Sequence, residues 1–517
     1  MSDEEEPILD IDDIQGNILA GFKKNFENLL FLKIIEPEIA KQWIKSLQPQ
    51  ISSLAEVLSF NNLFKILRTR LKGEDPHGLA ATWINIAFSY EGLKKLCPED
   101  IKYFGDEKGA FRQGMAARYK ILGDSINPED WVIGGPNNAS DIILIVASDN
   151  LEYLNERVNC LKETLQTNSG IEVIHEDIGR VRSDMPGHEH FGFKDGISQP
   201  GIRGLISEKP NDYLTPRLID PTDELSKTFS RPGEPLIWPG EFVFGYPAQG
   251  IYNHQKNVFD SREKGLDMIS NIPKWGINGS FLVFRRLRQD VKGFRNYIDN
   301  LAKEIGISSE LLQAKFMGRW PSGAPIMRSP EQDDLELGKD EYANNHFAYI
   351  NPVPPINVIT SSYTNEEVLG TKGDLLGKIC PIAAHIRKVN PRDFGSEKGA
   401  GEIALTKRIL RRGIPYGVPY DEENPEQERG LLFLCYQTSI EDQFEFIQTA
   451  WANQKILPGD GGEDPIIGQN EGKSRTFKLT EKKKTLDLMQ EWVTTTGGGY
   501  FFQPSISAIK NVLAKTI

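Results

Sequence analysis

The stretch HEHFGFKDGISQP, residues 188–200, contains two kinds of side chain that could do chemistry. His188 and His190 alternate, as on a strand, and could offer two imidazoles to a metal from one face. No cysteine or third histidine lies close by to complete a shell, so the pair reads as the polar entry to a turn. Asp195 is the other kind. It stands between Gly192 and Gly196, in a segment whose backbone can turn tightly and approach a flat ligand closely. Taken alone, Asp-Gly is a turn signal. Two further segments give it weight. In CPIAAHIRKVNPRDFG (380–395), His385 follows small apolar residues and precedes Arg387, Lys388 and Arg392. A histidine in that setting suits an axial ligand to a carboxylate-bearing porphyrin, with imidazole on the iron and arginines on the propionates. In RILRRGIPYG (408–417), Arg411 follows Ile409 and Leu410, where a fixed guanidinium could face a pocket.

Elements must hold these residues in place, and the chain contains a faint internal repeat that could do so. NLLFLKI (28–34) reads as a strand leading into a helix around EIAKQWIKSL, and GSFLVFRRL (279–287) leads likewise into VKGFRNYIDNLAKEIG. DIILIVAS (141–148) before LEYLNERVNCLKETL matches RGLLFLCYQ (429–437) before IEDQFEFIQTAW. Two α+β domains of similar design are expected. The proline-rich segment 208–242 forbids a long helix or central strand and reads as an extended surface excursion. We therefore expect an N-terminal domain over 1–215, a connecting segment over 216–270 and a C-terminal domain over 271–517.

Composition narrows the function classes. With 60 Lys+Arg against 73 Asp+Glu the net charge is −13, which argues against nucleic acid or an anionic membrane as partner. The acidic start MSDEEEPILDIDDIQG has neither a basic nor an apolar segment of a secretory signal, and no apolar run is long enough to span a bilayer. The four cysteines are scattered without a C-x-x-C, so a cytoplasmic protein with reduced thiols is expected. GQNEGKS (468–474) has three residues between its glycines where a phosphate loop needs four, and is rejected. Asn138 and Asn278 begin glycosylation sequons that mean little without a secretory signal.

The three segments together resemble the dye-decolorizing peroxidases, a haem family. Gly192-Phe193-Lys194-Asp195-Gly196 meets its G-x-x-D-G signature, His385 its proximal A-H-x-R-K-x-x-P-R context, and Arg411 its distal L-R-x-x-x-P-[FY]-G context. Similar segments begin at DIQGNILAGF (13–22), recur at GLLFLCYQ and DPIIGQ, and run through GGGYFFQPS. Gly413 stands where the short bacterial forms often carry asparagine, which makes the chain look more like the long fungal and cyanobacterial-type members.

The resemblance implies an α+β fold of two ferredoxin-like domains in a dimeric, barrel-like architecture, the second binding one haem b through His385. Asp195 would shuttle the peroxide proton, and Arg411 would stabilise developing charge. Arg392, Ile197, Ser198, Leu431 and Phe433 would contact the cofactor, and Asp464 would accept a hydrogen bond from the other nitrogen of His385. Hydrogen peroxide would be the oxidant, with dyes or phenols giving up electrons singly. Bulky dyes would do so at a surface aromatic, which eight tryptophans and fifteen tyrosines leave unassigned. The alternative is a non-enzymatic haem carrier or sensor, or an iron-releasing relative of the same fold. Asp195 and Arg411 count against a carrier or sensor, because storage requires neither a proton shuttle nor a distal cation. The lack of a visible export signal counts against the iron-releasing relative.

Overall fold

Strands that are apolar on both faces need cover on both sides, and this chain supplies it by closing its main sheet into a ring. The computed structural model describes residues 6–76, 78–105, 108–167, 170–204, 214–249, 252–253, 258–259, 272–360, 364–393 and 401–516. The first half contributes β1 (Phe26–Ile34), β2 (Thr82–Phe88), β3 (Ile142–Ser148) and β4 (Ile171–Arg180). The second contributes β5 (Ser280–Gln289), β6 (Leu410–Arg411), β7 (Ile414–Tyr416), β8 (Gly430–Gln437) and β9 (Val493–Gln503). β6 and β7 run along the same edge of β8 as one interrupted strand.

Both halves show the same antiparallel order, β4-β1-β3-β2 in one and β9-β5-β8-β7 in the other. This is the ferredoxin-like arrangement, with β1 equivalent to β5 and β3 to β8, the pairs expected from the repeat. Two short seams join the halves into an α+β barrel, Tyr416 opposite Gly179 and Phe502 opposite Phe88. At the first seam a Cβ on Gly179 would lie 2.3 Å from Ile414 Cγ2, so the close approach of β4 and β7 requires glycine.

Alternation along the strands divides the core. Leu29, Phe31, Ile145, Phe284, Leu432 and Leu434 fill the interior. Leu30, Leu32, Ile86 and Leu144 face outward beneath the helices Pro37–Leu47 and Leu151–Thr167. Over the second half, helices Val291–Ile305 and Ser309–Met317 bury Phe294, Ile298 and Phe316 with Trp492. The expected helix over IEDQFEFIQTAW forms as wide π-type turns, Ile440–Glu445 and Ile447–Ala452. The proline-rich segment departs from the expected surface excursion. In its described part, 214–242, Ile237 and Phe242 are fully buried in the barrel's interior core, because the apolar run from Leu236 has more to gain there than in water. Residues 208–213 lie outside the described residues. Among the described residues no helix is long and apolar enough to cross a membrane.

The interior also holds one uncompensated acid. Glu27 shares the face of Leu29 and Phe31, is 7% exposed, and its Oε1 has no hydrogen-bond partner. Burial pushes its pKa up from 4.5 to about 8. A folded-state value above the unfolded one gives stability that is full in acid and is lost as pH rises from 4.5 to about 8. Glu27→Gln should therefore match wild type near pH ~4 and exceed it by about 2–4 kcal/mol above pH ~8. Denaturant unfolding across pH checks this; a difference that does not grow with pH would show that the acid is compensated.

Candidate active site

Asp195 reaches the site on a loop shaped by glycine and by a buried glutamate. Gly192 and Gly196 adopt φ of 101° and 75°, the left-handed region in which a side chain would be strained. Between Arg182 and Asp195 the Glu189 carboxylate accepts hydrogen bonds from the amides of Phe191 (2.9 Å) and Phe193 (2.8 Å) and from Gln289. Both phenylalanines are buried in the outer core with Phe294, so the loop is pinned from two sides. Burial raises the pKa of Glu189 against the pull of these donors. His188 bonds the carbonyls of Pro186 and Pro321, each at 3.0 Å. His190 bonds the Tyr416 carbonyl at 2.8 Å, and burial pushes its pKa down to about 4. The two histidines tie the loop to its surroundings.

Arg411 arrives at the break between β6 and β7. Its Nη1 donates to Asp195 Oδ1 at 2.5 Å and its Nη2 to the Ser198 carbonyl at 3.2 Å. The same Oδ1 accepts from the Gly196 amide at 2.6 Å, while Oδ2 has no partner among the described residues. Burial works to raise the pKa of Asp195, but the charge and hydrogen bond of Arg411, the Gly196 amide and the nearby His385 outweigh it. The net result lies below the usual carboxylate range. The side chains of Asp195 and Arg411 keep 35% and 31% of their surface accessible, and that of His385 22%, so all three border open space.

His385 opens a short helix, His385–Val389. Its Nδ1 lies 2.8 Å from Oδ2 of Asp464, a fully buried residue whose Oδ1 accepts from the amides of Ile466 (2.8 Å) and Ile467 (3.0 Å). Burial again works to raise the Asp464 pKa, and His385 with the two amides brings it below the ordinary value. A carboxylate acceptor places the imidazole proton on Nδ1. Nε2 then carries a lone pair and has no hydrogen-bond partner among the described residues.

Cations gather on one flank. Arg392 donates to the carbonyls of Asn345 (2.8 Å) and Phe347 (2.7 Å) and stacks 3.8 Å above the Phe347 ring. Arg319 bonds the Gly323 carbonyl and Asn345 Oδ1. Burial, and then the charges of Arg392 and Arg411, push Arg319 down to about 9 and Arg408 to about 10. The guanidinium of Arg408 has no hydrogen-bond or salt-bridge partner among the described residues. Asn345 Nδ2 bonds the Ile197 carbonyl at 3.3 Å, and the Ile197 side chain packs against Gly323. Leu431 and Phe433 are half-buried on the face of β8 that also carries Cys435, the residue opposite Arg411; Leu431 lies beside Gly413, and Phe433 packs on Phe444. Sequence reasoning passed over Arg408, Arg319, Asn345 and Gln199. Gln199 stood inside the first quoted stretch and Arg408 inside the Arg411 segment, but no spacing marked either.

The fold and site define the class of protein. Residues 13–183 match the DyP dimeric alpha+beta barrel domain, and residues 313–459 match the Dyp-type peroxidase C-terminal domain. The chain is similar to the dye-decolorizing peroxidase msp1 of Mycetinis scorodonius, with 31% identity over 98% of this chain and 88% of that one. To dye-decolorizing peroxidase AauDyP1 of Auricularia auricula-judae it is 31% identical over 97% of this chain and 86% of the relative. The solved structure of an ancestral D-type dye decolorizing peroxidase superposes with a TM-score of 0.76 at 33% identity, covering 98% of this chain and 100% of that one. A decolorizing peroxidase from Auricularia auricula-judae gives 0.73 at 29% identity, with the same coverage. The chain belongs to the dye-decolorizing peroxidases, which are haem enzymes.

Glu189 supports the loop on which Asp195 is carried, and its removal should be measurable. Glu189→Ala leaves two buried amides and Gln289 without their acceptor and should lower unfolding stability by about 2–4 kcal/mol. Glu189→Gln, which keeps an acceptor oxygen, should lose less. An alanine variant as stable as wild type in denaturant unfolding would show that other groups fix the loop.

Proposed function

We propose that this peroxidase binds haem b on His385 and uses Asp195 and Arg411 to activate hydrogen peroxide, with dyes or phenolic compounds as reductants. The observation that carries the reading is the division of labour within one carboxylate. Oδ1 of Asp195 is held by Arg411 and the Gly196 amide, while Oδ2 is left without a partner among the described residues, on the open side that His385 also borders.

The donor set fits the cofactor. The Asp464 carboxylate fixes Nδ1 of His385 as a donor and leaves the Nε2 lone pair for iron. The excess of arginine over Glu234 and Asp195 fits a group bearing two carboxylates, and the unpartnered guanidinium of Arg408 is the cation best placed to meet one. Arg392 is largely taken up by backbone carbonyls, so it orients the neighbouring Asn345–Phe347 segment. Leu431 and Phe433 limit what reaches the open space beside Arg411. Bound there, haem supplies iron that accepts oxidising equivalents from peroxide and passes them on one electron at a time.

The residues supply the proton chemistry. Asp195 is ionised when peroxide arrives, because Arg411 holds its pKa low. Oδ2 takes the proton from one peroxide oxygen and returns it to the other, which departs as water. Arg411 stabilises the negative charge that grows on the departing oxygen. Asp464 holds His385 in one orientation and strengthens it as a ligand.

Asp195→Asn tests the reading, since it keeps the size but cannot accept a proton. Haem should stay bound, and reaction with peroxide should slow by about 10²–10⁴-fold in stopped-flow mixing. The wild-type rate should hold from neutral well into acid and fall only as pH drops through the lowered pKa of Asp195, where the base becomes protonated. A variant as fast as wild type at every pH would overturn the role of Asp195. Asp464→Asn presents an amide donor to Nδ1 and so favours the proton on Nε2. Haem affinity should fall about 10–100-fold, read as faster haem loss to an acceptor apoprotein. Unchanged haem loss with an unchanged ferric spectrum would remove Asp464 from the ligand's support.

A further inference from the structure

The backbone of Arg411 is gripped by the same turn that holds its side chain. In an antiparallel edge strand, successive residues direct their amide and carbonyl alternately toward the neighbouring strand and away from it. Arg412 faces β8, its amide donating to the Leu434 carbonyl at 2.7 Å, so the amide and carbonyl of Arg411 face the open edge. The side chain of Gln199 fills that edge as a neighbouring strand would. Its Nε2 donates to the Arg411 carbonyl at 2.9 Å and its Oε1 accepts from the Arg411 amide at 3.3 Å. Gln199 follows Ser198, whose carbonyl takes Nη2 of Arg411, and closes the turn that begins at Asp195. One five-residue segment therefore holds Arg411 at its guanidinium and at its peptide.

A second brace shares the Arg411 carbonyl with Gln199. The guanidinium of Arg412 donates to the carbonyls of Asn17 (3.0 Å), Ile18 (3.0 Å) and Leu19 (2.6 Å), and its Nη1 donates to the Arg411 carbonyl at 2.9 Å. The strand beneath Arg411 is thus anchored to the N-terminal segment, and what remains adjustable is the distance between that strand and the turn carrying Asp195. Gln199 spans this gap with two hydrogen bonds. The ladder to β8 fixes the register of this strand on one side only, so the open edge at Arg411 is held by Gln199.

We infer that Gln199 is a positioning residue for peroxide activation, its carboxamide clamping the Asp195 turn to the strand of Arg411 so that carboxylate and guanidinium keep one separation. The inference rests on the roles given to Asp195 and Arg411 above. The titratable and charged groups facing Asp195 are Arg411 from β6, His385 from its helix and Glu189 from the same loop. Of these, Arg411 is the one whose distance Gln199 governs. Loosening it weakens the opposition to burial, so the Asp195 carboxylate becomes harder to ionise.

The test uses the haem-loaded enzyme with Gln199→Leu, which keeps the bulk and removes both hydrogen bonds, and Gln199→Glu, which keeps an acceptor for the Arg411 amide but not the donor. The reaction with peroxide should slow about 10–100-fold in Gln199→Leu and less in Gln199→Glu, the scale of a catalytic group displaced by an ångström or so. The acid limb of the rate should move to higher pH in both. Fluoride titrations of the ferric enzyme, followed by absorption, should show the same displacement in the pH dependence of binding, without any turnover. Added to Arg411→Leu, Gln199→Leu should cause little further loss, because its action runs through the arginine. An acid limb and fluoride profile that stay in place, or losses that multiply in the double variant, would leave Gln199 as packing only, even if unfolding stability falls. Should Arg411→Leu and Asp195→Asn themselves react as fast as wild type, the underlying reading fails. Should they be slow while both Gln199 variants are fast, only the present inference fails.

Discussion

A carboxylate on the wall of a pocket keeps its charge more readily when a cation is held against it, and the pairing of Asp195 with Arg411 is the interaction on which the site depends. Its partners come from different halves of the chain. Asp195 is carried by the loop that leaves β4, and Arg411 by the interrupted strand that meets β4 at the Tyr416–Gly179 seam. Neither half could make the pair alone. Ring closure brings the loop and the broken strand together, and glycine at 179 lets them come near enough. The barrel is therefore part of the chemistry: loosening the seam would separate the ions and return Asp195 to the control of burial, which favours its neutral form.

β6 and β7 keep one register along β8 and show how an open strand edge is used. Pairing with β8 engages the amide of every second residue of this edge strand and leaves that of Arg411 facing outward. On this open edge the guanidinium of Arg411 turns to Asp195, while that of Arg412 reaches the carbonyls of residues 17–19. A Cβ at Gly413 would stand 3.2 Å from the Leu432 carbonyl, so the interruption leaves little room for a larger residue.

Much of this was legible in sequence, but unevenly. Runs such as DIILIVAS and GLLFLCYQ announce strands through apolar content alone, and their matched followers disclosed a twofold design. Ring closure was legible only through the family resemblance, because it rests on two single-residue seams that carry no periodic signal. Nor did composition alone reveal that Ile237 and Phe242 leave the proline-rich segment for the core. Within RILRRGIPYG three arginines look alike. They are distinguished by tertiary surroundings: Arg408 without a partner among the described residues, Arg411 on a carboxylate, Arg412 on a helix end. Asp464 lies 79 residues from His385, a separation at which spacing says nothing about contact.

The site's two aspartates show why residue type alone could not have assigned their work. Asp464 is fully buried and both of its oxygens are engaged, one by His385 and one by two backbone amides. A proton arriving there would have to displace an existing donor, so Asp464 is suited to remain a fixed negative charge behind the imidazole. Asp195 is held at one oxygen only, and Oδ2 lacks a partner among the described residues. Protonating Oδ2 breaks no hydrogen bond made by Oδ1, and the Arg411 cation makes the proton easy to give back. Both carboxyls are shifted to lower pKa, yet one is saturated and the other half-open. That difference in hydrogen-bond occupancy, more than acidity, separates a group that orients a ligand from one that can carry a proton.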